Sequence, residues 1–591
     1  MKSIINKFFL GAALLATAGL GSCVGDLDQL PEDPSTIMGP SFAENPRESI
    51  GRVIAKCYQG LAVSGQKGPD GDCDIKGIDG GTSQYTRGLF MLNEFPTDEC
   101  MWVYADAGVP ELVQGTWGSD NVVNYGIYSR FYSHIAVCNN FLQLVRDLPS
   151  MGVAIGGDGP TAISQAELDQ FCLEARALRA LSYYNVIDLW GRGVVAWDDM
   201  QMGTRPKQAE SRAALYDKVV TDLEEVLAAW PEANNGAGVI YGRIGKDAVE
   251  GLLCRFYLNS EVWTGVARWD KCWQHAQNII SRHKTGGYIY NGEATGLAKD
   301  YLALFCGTNK MFMPGGSQPQ QNEILWGVPY DETYTQPYGG STFLCNAPVK
   351  DAGTADLKDG FCNLMWYGLG NGWGCIHSRQ QFAEKFDFRD GECSDGRTYL
   401  WLTEKAGFDI SNSVYADYTS GYIPIKFTNL MSEADGTLNR FKDPDNGLNR
   451  AGYQENICTK YYPNTCLPLL RLADVYLMAA ECTLHGAGDR ATGVKYVNIV
   501  RTRAGASEWV NDDLNESNLL DERARELYFE CVRRTDLVRF NRFVSNYTWN
   551  WKGGSYTGGN LDAHRNVYPL PSNVTAIYGS EMEQNPGYLG N

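Results

Sequence analysis

The stretch Leu519–Phe543, LLDERARELYFECVRRTDLVRFNRF, decides how the rest of the chain is read. Leu520, Ala524, Leu527, Cys531 and Val538 recur at steps of three, four or seven, the spacing that places them on one face of an α-helix. That face is expected to be buried. The other positions carry Glu522, Arg523, Arg525, Glu526, Glu530, Arg533, Arg534, Asp536 and Arg539, many of them three or four apart with opposite signs. Charges so spaced can pair along a helix surface, so composition alone reads this side as solvated and ion-paired.

Working outward, Glu-Arg-x-Arg-Glu-Leu-x-x-Glu-x-x-Arg-x-x-Asp-Leu-x-Arg (Glu522 to Arg539) is one of several ordered motifs. Leu20-Gly21-Ser22-Cys23 comes first, then Tyr85-Thr86-Arg87 and the run Leu92 to Glu99 (LNEFPTDE). Gly108 to Leu112 (GVPEL), Glu174 to Tyr184 (EARALRALSYY) and Leu470 to Leu477 (LRLADVYL) follow, and the chain closes on Tyr568-Pro569-Leu570-Pro571 and Gln584-Asn585-Pro586-Gly587-Tyr588. Together these resemble the SusD/RagB family of outer-membrane nutrient-binding lipoproteins. The resemblance implies a mainly α, tetratricopeptide-like helical-repeat scaffold. It also implies a position on the cell-surface face of the outer membrane, as a lid on a SusC-like TonB-dependent transporter that receives the captured glycan. Peptide cargo, as in the RagB branch, is the alternative within binding.

The N-terminus needs no family. Lys2 and Lys7 flank the start of an apolar run from Phe8 to Leu20, too short to cross a bilayer comfortably and shaped like an export signal. Gly21 and Ser22 before Cys23 are what a lipoprotein signal peptidase accepts. Residues 1–22 are therefore read as a removed signal and Cys23 as the lipidated first residue, held to the membrane by several acyl chains. Residues 23–45, rich in proline and acid without apolar period, read as a tether.

With 591 residues, 44% of them hydrophobic, core material is ample. A formal charge of −19 excludes a phosphate backbone as partner, since such binding rests on clustered Lys and Arg. Seventeen cysteines less Cys23 leave an even number, but several sit in helical stretches as small core residues. Cys458 with Cys466 and Cys362 with Cys375 are the pairs to test as disulfides. Asp70, Asp72 and Asp74 alternate as at the start of a calcium loop, but Ile75 stands where such a loop needs Gly and Gly81 where it needs Glu. A solvated turn fits better, and no metal or cofactor is expected.

Paired amphipathic helices are expected over 46–62, 129–148, 164–189, 211–230, 244–263 and 269–282, and again over 470–484 and 490–503. Helix, short loop, helix at similar spacing reads as a repeat scaffold. From about 286 to 469 the periodicity breaks down and Gly, Pro, Asn and aromatics rise together. That span reads as loops, short helices and short strands laid over the scaffold within one body, 46–591, followed by an extended tail from 546.

Catalytic patterns are missing: no HExxH, no GxSxG, no P-loop. Gly191 to Ala196 mimics a dinucleotide fingerprint but follows a helix instead of a strand. Carboxylate pairs for glycoside hydrolysis are defined by spatial separation, so a surface glycoside hydrolase stays open as the alternative from another class. Binding has a better basis. A sugar ring lays its C–H face on Trp or Tyr, while its hydroxyls need polar partners to replace lost water. Loop aromatics and polar groups meet that demand in two segments, Arg87 to Trp117 and Trp326 to Trp373. The candidates are Arg87, Asp98, Trp102, Asp106, Trp117, Trp326, Tyr330, Trp366, Tyr367 and Trp373, within a loop region that also holds Tyr334, Tyr338 and Trp401.

Overall fold

The computed structural model describes residues 42, 44–65, 73–157, 159–201, 203–349, 364–387, 393–401, 421–442, 449–451 and 461–589. The signal segment 1–22, Cys23, the tether as far as residue 41, Asp70 and Asp72, and Cys362 and Cys458 of the two candidate disulfides lie outside them.

Helices begin where the sequence supplies an acceptor for their first free amides. In α1 (Pro46–Ala62) that acceptor is Asn45, whose side chain takes the Glu48 amide. Two short helices, α2 (Tyr85–Asn93) and α3 (Val109–Gln114), lead into the repeats. Next come α4 (Val122–Asp147) capped by Asn121, α5 (Gln165–Trp190) capped by Ser164 and α6 (Arg212–Ala229) capped by Ser211. The Asn121 cap lets α4 start earlier than the expected residue 129. The segment expected as one helix over 244–263 is instead α7 (Lys246–Leu258) and α8 (Ser260–Thr264), separated at Asn259, and α9 (Trp269–His283) follows. After α10 (Gly340–Asn346) and α11 (Gln380–Glu384) the frame resumes with α12 (Leu472–Leu484), α13 (Arg490–Arg503), α14 (Glu516–Leu527) and α15 (Arg533–Arg539), and α16 (Ser572–Tyr578) lies in the tail.

Each frame helix packs on its neighbour: α4 on α5, α5 on α6, α6 on α7, and α7 on α9. Residues 284–471 intervene, yet α9 then packs on α12 and α12 on α13. The helical array is therefore continuous in space and interrupted only in sequence, a mainly α repeat architecture. Antiparallel ladders order the insertion: of β1 (Cys100–Trp102), β2 (Ile324–Val328), β3 (Ile376–Ser378) and β4 (Leu467–Arg471), β1 pairs with β3 and ties the insertion to the chain before it, while β2 pairs with β4 and joins the insertion's two ends. Because β4 runs directly into α12, the insertion returns to the frame without a loop.

The stretch 519–543 departs from expectation in two ways. It is two helices, because Phe529 and Cys531 take left-handed backbone conformations (φ 63° and 62°) that no α-helix accommodates. Its charged side is also buried, with Glu522, Glu526, Arg533 and Arg534 sealed from water. Partners from distant segments make this burial tolerable. Arg471 of β4 reaches Glu323 (2.6 Å), Glu526 (3.0 Å) and Glu530 (2.6 Å), and Arg503 of α13 pairs Glu323 (2.8 Å) and Glu526 (2.6 Å). From the insertion, Arg397 meets Glu522 (2.9 Å) and Glu526 (3.1 Å), while Lys426 meets Glu530 (2.6 Å). Frame, insertion and C-terminal helices thus share one buried ionic hub. Such pairs add little over well-packed apolar residues, but removing one partner costs about 3–5 kcal/mol because the other is left uncompensated.

Candidate functional site

An open cavity of about 700 Å³ lies between α2, the β1–α3 loop and the insertion. Gln84 caps α2 by accepting the Arg87 amide at 2.8 Å, so Arg87 and Met91, one turn apart, share a face that lines the cavity. From the other side β1 brings Trp102, α10 brings Phe343, and the loop before β3 brings Trp373. Only tertiary pairing joins them, since β1 and β3 lie far apart in sequence.

The rings are arranged around one cation. Trp102 and Phe343 stack with centroids 5.6 Å apart and planes inclined by 16°. The Arg87 guanidinium sits 4.9 Å from the Phe343 ring centre and 5.8 Å from those of Trp102 and Trp373. Its Nη1 donates to the Tyr338 carbonyl at 2.9 Å, while Nε is buried without a hydrogen-bond partner. Burial lowers the Arg87 pKa from its ordinary value, and the group nevertheless stays charged. A half-buried cation at the lining of an open cavity favours a ligand oxygen, which its buried Nε does not reach.

Polar contacts hold the rings in place. Trp102 Nε1 donates to Asp106 Oδ2 at 2.8 Å, the Tyr104 hydroxyl to the Trp373 carbonyl at 2.6 Å, and Trp373 Nε1 to the Tyr461 hydroxyl at 3.2 Å. Tyr104 is 41% exposed and extends the aromatic wall toward solvent. The acidic side chains on the lining are Asp79 and Asp106. Asp79 accepts the Thr82 amide at 2.6 Å as a turn cap, and Asp106 orients the Trp102 indole, so each has a structural task. This is a shelf for a polar ligand with apolar faces, of ordinary binding-site size.

Four sequence candidates, Arg87, Trp102, Asp106 and Trp373, therefore meet here. The others lie elsewhere. Asp98 is buried, its carboxylate clamped by Arg533 at 2.7 and 2.8 Å and by the Tyr547 hydroxyl at 2.8 Å; against the cost of burial, Arg533 and then Lys385 hold its pKa well below the usual carboxylate range. Trp117 packs on Tyr568 (4.5 Å) and donates to the Tyr588 hydroxyl, covered by the C-terminal tail. Tyr330 and Tyr367 are core residues, and Trp366 is half-buried against the core. Trp326 lies on a second cavity, of about 450 Å³, between α1 and the Tyr241–Arg243 turn. Sequence reasoning missed Phe343 and Tyr104. Tyr104 carried the same signal as Trp102, an aromatic in the Arg87 to Trp117 loops, whereas Phe343 carried none because it stands in a seven-residue helix too short for periodicity.

Comparison with known proteins identifies the family and the fold. The model of the SusD family matches residues 322–588. The chain is 30% identical to the starch-binding protein SusD of Bacteroides thetaiotaomicron over the whole of both chains, and 23% identical to a SusD-like protein of Formosa agariphila over 88% of each. Among solved structures, a SusD superfamily protein from Parabacteroides distasonis superposes with a TM-score of 0.63 at 16% identity, covering 92% of this chain and 99% of that one. The surface glycan-binding protein A of Bacteroides thetaiotaomicron, in complex with laminarihexaose, gives 0.60 at 17% identity, covering 91% and 99%. At these identities the superpositions establish the fold.

Proposed function

This chain belongs to the SusD family, and from that premise we propose that it is a binding protein that captures glycan on the cell surface without cutting it. The Trp102–Phe343–Trp373 cavity is its first contact with the ligand. The observation that carries the reading is Arg87, a half-buried cation set among three aromatic rings in an open cavity that Tyr104 extends toward solvent. Sugar C–H faces would lie on the accessible rings of Trp373 and Tyr104, backed by the buried rings of Trp102 and Phe343, while hydroxyl oxygens accept from the guanidinium. The full-length relative named for starch binding makes an α-glucan the first ligand class to test.

The finer reading is that the bound glycan passes to a SusC-like TonB-dependent transporter, with Cys23 lipidated and residues 23–45 as the tether. Among the described residues no helix is long and apolar enough to cross a membrane, so in this reading the lipid does the anchoring. Affinity electrophoresis on starch, laminarin and other polysaccharides tests the core of the proposal. Wild type should be retarded by at least one, and Trp373→Ala should migrate freely. Retention of peptides instead of glycans would overturn it in favour of peptide cargo, and release of sugar products would overturn it in favour of a hydrolase. Recovery of a much larger barrel protein after gentle detergent extraction tests the lid role.

A further inference from the structure

The second cavity has no part in the site described above. Its lining includes Tyr58, Arg243, Tyr241, Trp326, Tyr334 and Thr335. Tyr334 stands out because its ring is 88% exposed although the turn that carries it is firmly held. Asp331 Oδ1 accepts the Thr333 and Tyr334 amides at 2.8 and 3.0 Å, and the Asp331 carbonyl accepts the Thr335 amide at 3.0 Å. Asn464 Oδ1 accepts the neighbouring Glu332 amide at 3.0 Å, which ties the turn to the chain ahead of β4. A large ring displayed on an ordered turn is a rigid platform that folding alone does not require.

Gln84, with the Tyr330 hydroxyl beside it, links the linings of the two cavities. Gln84 Nε2 donates to the carbonyls of Leu61 (2.8 Å) and Ala62 (3.0 Å), which line the second cavity. Gln84 Oε1 accepts the amide of Arg87, at the centre of the first cavity, and that of Gly340 at 3.2 Å. Along the other rim Tyr334 and Tyr338, which line the second and first cavities respectively, are four residues apart, at most about 14 Å of extended chain. A polymer seated in the first cavity and continuing past this link meets Tyr334 next.

We propose that the second cavity is a further subsite for the same glucan chain, with Tyr334 as its stacking platform and Tyr241, 40% exposed, as its flank. The lining suits a sugar more than a purely apolar guest. Arg243 holds Glu174 through Nε at 2.9 Å and the Tyr58 hydroxyl donates to the same carboxylate at 2.6 Å, so charged and hydroxyl groups stand beside the rings. This inference rests on the glycan reading of the first cavity, and its consequence is a preference for chains long enough to cover both.

The test is calorimetric titration of the full chain with maltotriose and with a long maltodextrin. Tyr334→Ala should weaken the long chain about 3- to 10-fold, in line with one lost sugar–ring contact, and leave maltotriose unchanged. Tyr334→Trp should restore the long-chain affinity. Equal affinity of Tyr334→Ala and wild type for the long chain would overturn the second subsite while Trp373→Ala, losing both ligands, keeps the first. Equal loss of both ligands in Tyr334→Ala would also overturn it, assigning Tyr334 to the first cavity. A wild type that binds neither ligand would overturn the glucan reading and this inference with it.

Discussion

Replacing Arg87 by methionine separates a binding role from a structural one. Methionine keeps most of the side-chain volume between Trp102, Phe343 and Trp373 but removes the charge and its donors. A hydrogen bond from a charged donor to a ligand contributes about 1.5–3 kcal/mol, which converts to roughly a 10- to 150-fold loss of affinity. Within the protein the change removes the Nη1 hydrogen bond to the Tyr338 carbonyl and the cation–ring contacts with Trp102, Phe343 and Trp373, and also relieves the cost of burying a guanidinium. These oppose each other, so the melting temperature should move by no more than about 1 °C in a chain this large. Titration calorimetry with a maltodextrin beside scanning calorimetry of the free protein supplies both readings. An R87M protein that binds within twofold of wild type would refute the argument that the Arg87 guanidinium donates to the ligand. A large fall in melting temperature would instead assign Arg87 to holding the Tyr338 loop.

Arg471→Met should be costly, because Glu323, Glu526 and Glu530 lose a shared buried cation; about 3–5 kcal/mol is expected, or a fall of roughly 3–4 °C on thermal unfolding at this chain length. Glu94 and Glu99 form a buried pair next to Arg533: burial and then the Glu99 charge raise the Glu94 pKa well above normal, and burial raises that of Glu99 to about 7. Above the unfolded value of about 4.5 the native state binds more protons than the unfolded one, so this pair's contribution to stability falls as pH rises through the folded pKa of about 7 of Glu99 and on until Glu94 has also ionised. Glu94→Gln should therefore be stabilised relative to wild type at pH 8 and much less so at pH 5, measured by denaturant melts at the two pH values. Cys23→Ser should move the protein from the membrane fraction to the soluble one on cell fractionation; retention in the membrane would refute lipid anchoring through that residue.

Much of the frame was legible in the sequence because its causes are local. Asn45, Ser164 and Ser211 cap the helices that follow them, and apolar residues at steps of three and four mark which side turns inward. The boundaries that shifted, at Val122 and at Asn259, did so through the cap at Asn121 and a step in the chain. The site was legible only in outline. Arg87, Trp102, Asp106 and Trp373 converge on one cavity, whereas Asp98 and Trp117, drawn from the same loops for the same reasons, are interior residues.

What the sequence determined by itself was the order of the frame helices, since their periodicity and caps depend on residues within a turn or two of one another, and, through its ordered motifs, the family they belong to. Tertiary structure alone decided the fate of the charges and the rings. The Glu522–Arg539 face reads as a wet surface until Arg397, Arg471 and Asp98 arrive to answer it, and Trp117 reads as a platform until Tyr568 and Tyr588 cover it. Exposure is a property of what packs on a side chain, and here the covering residues come from tens to hundreds of positions away.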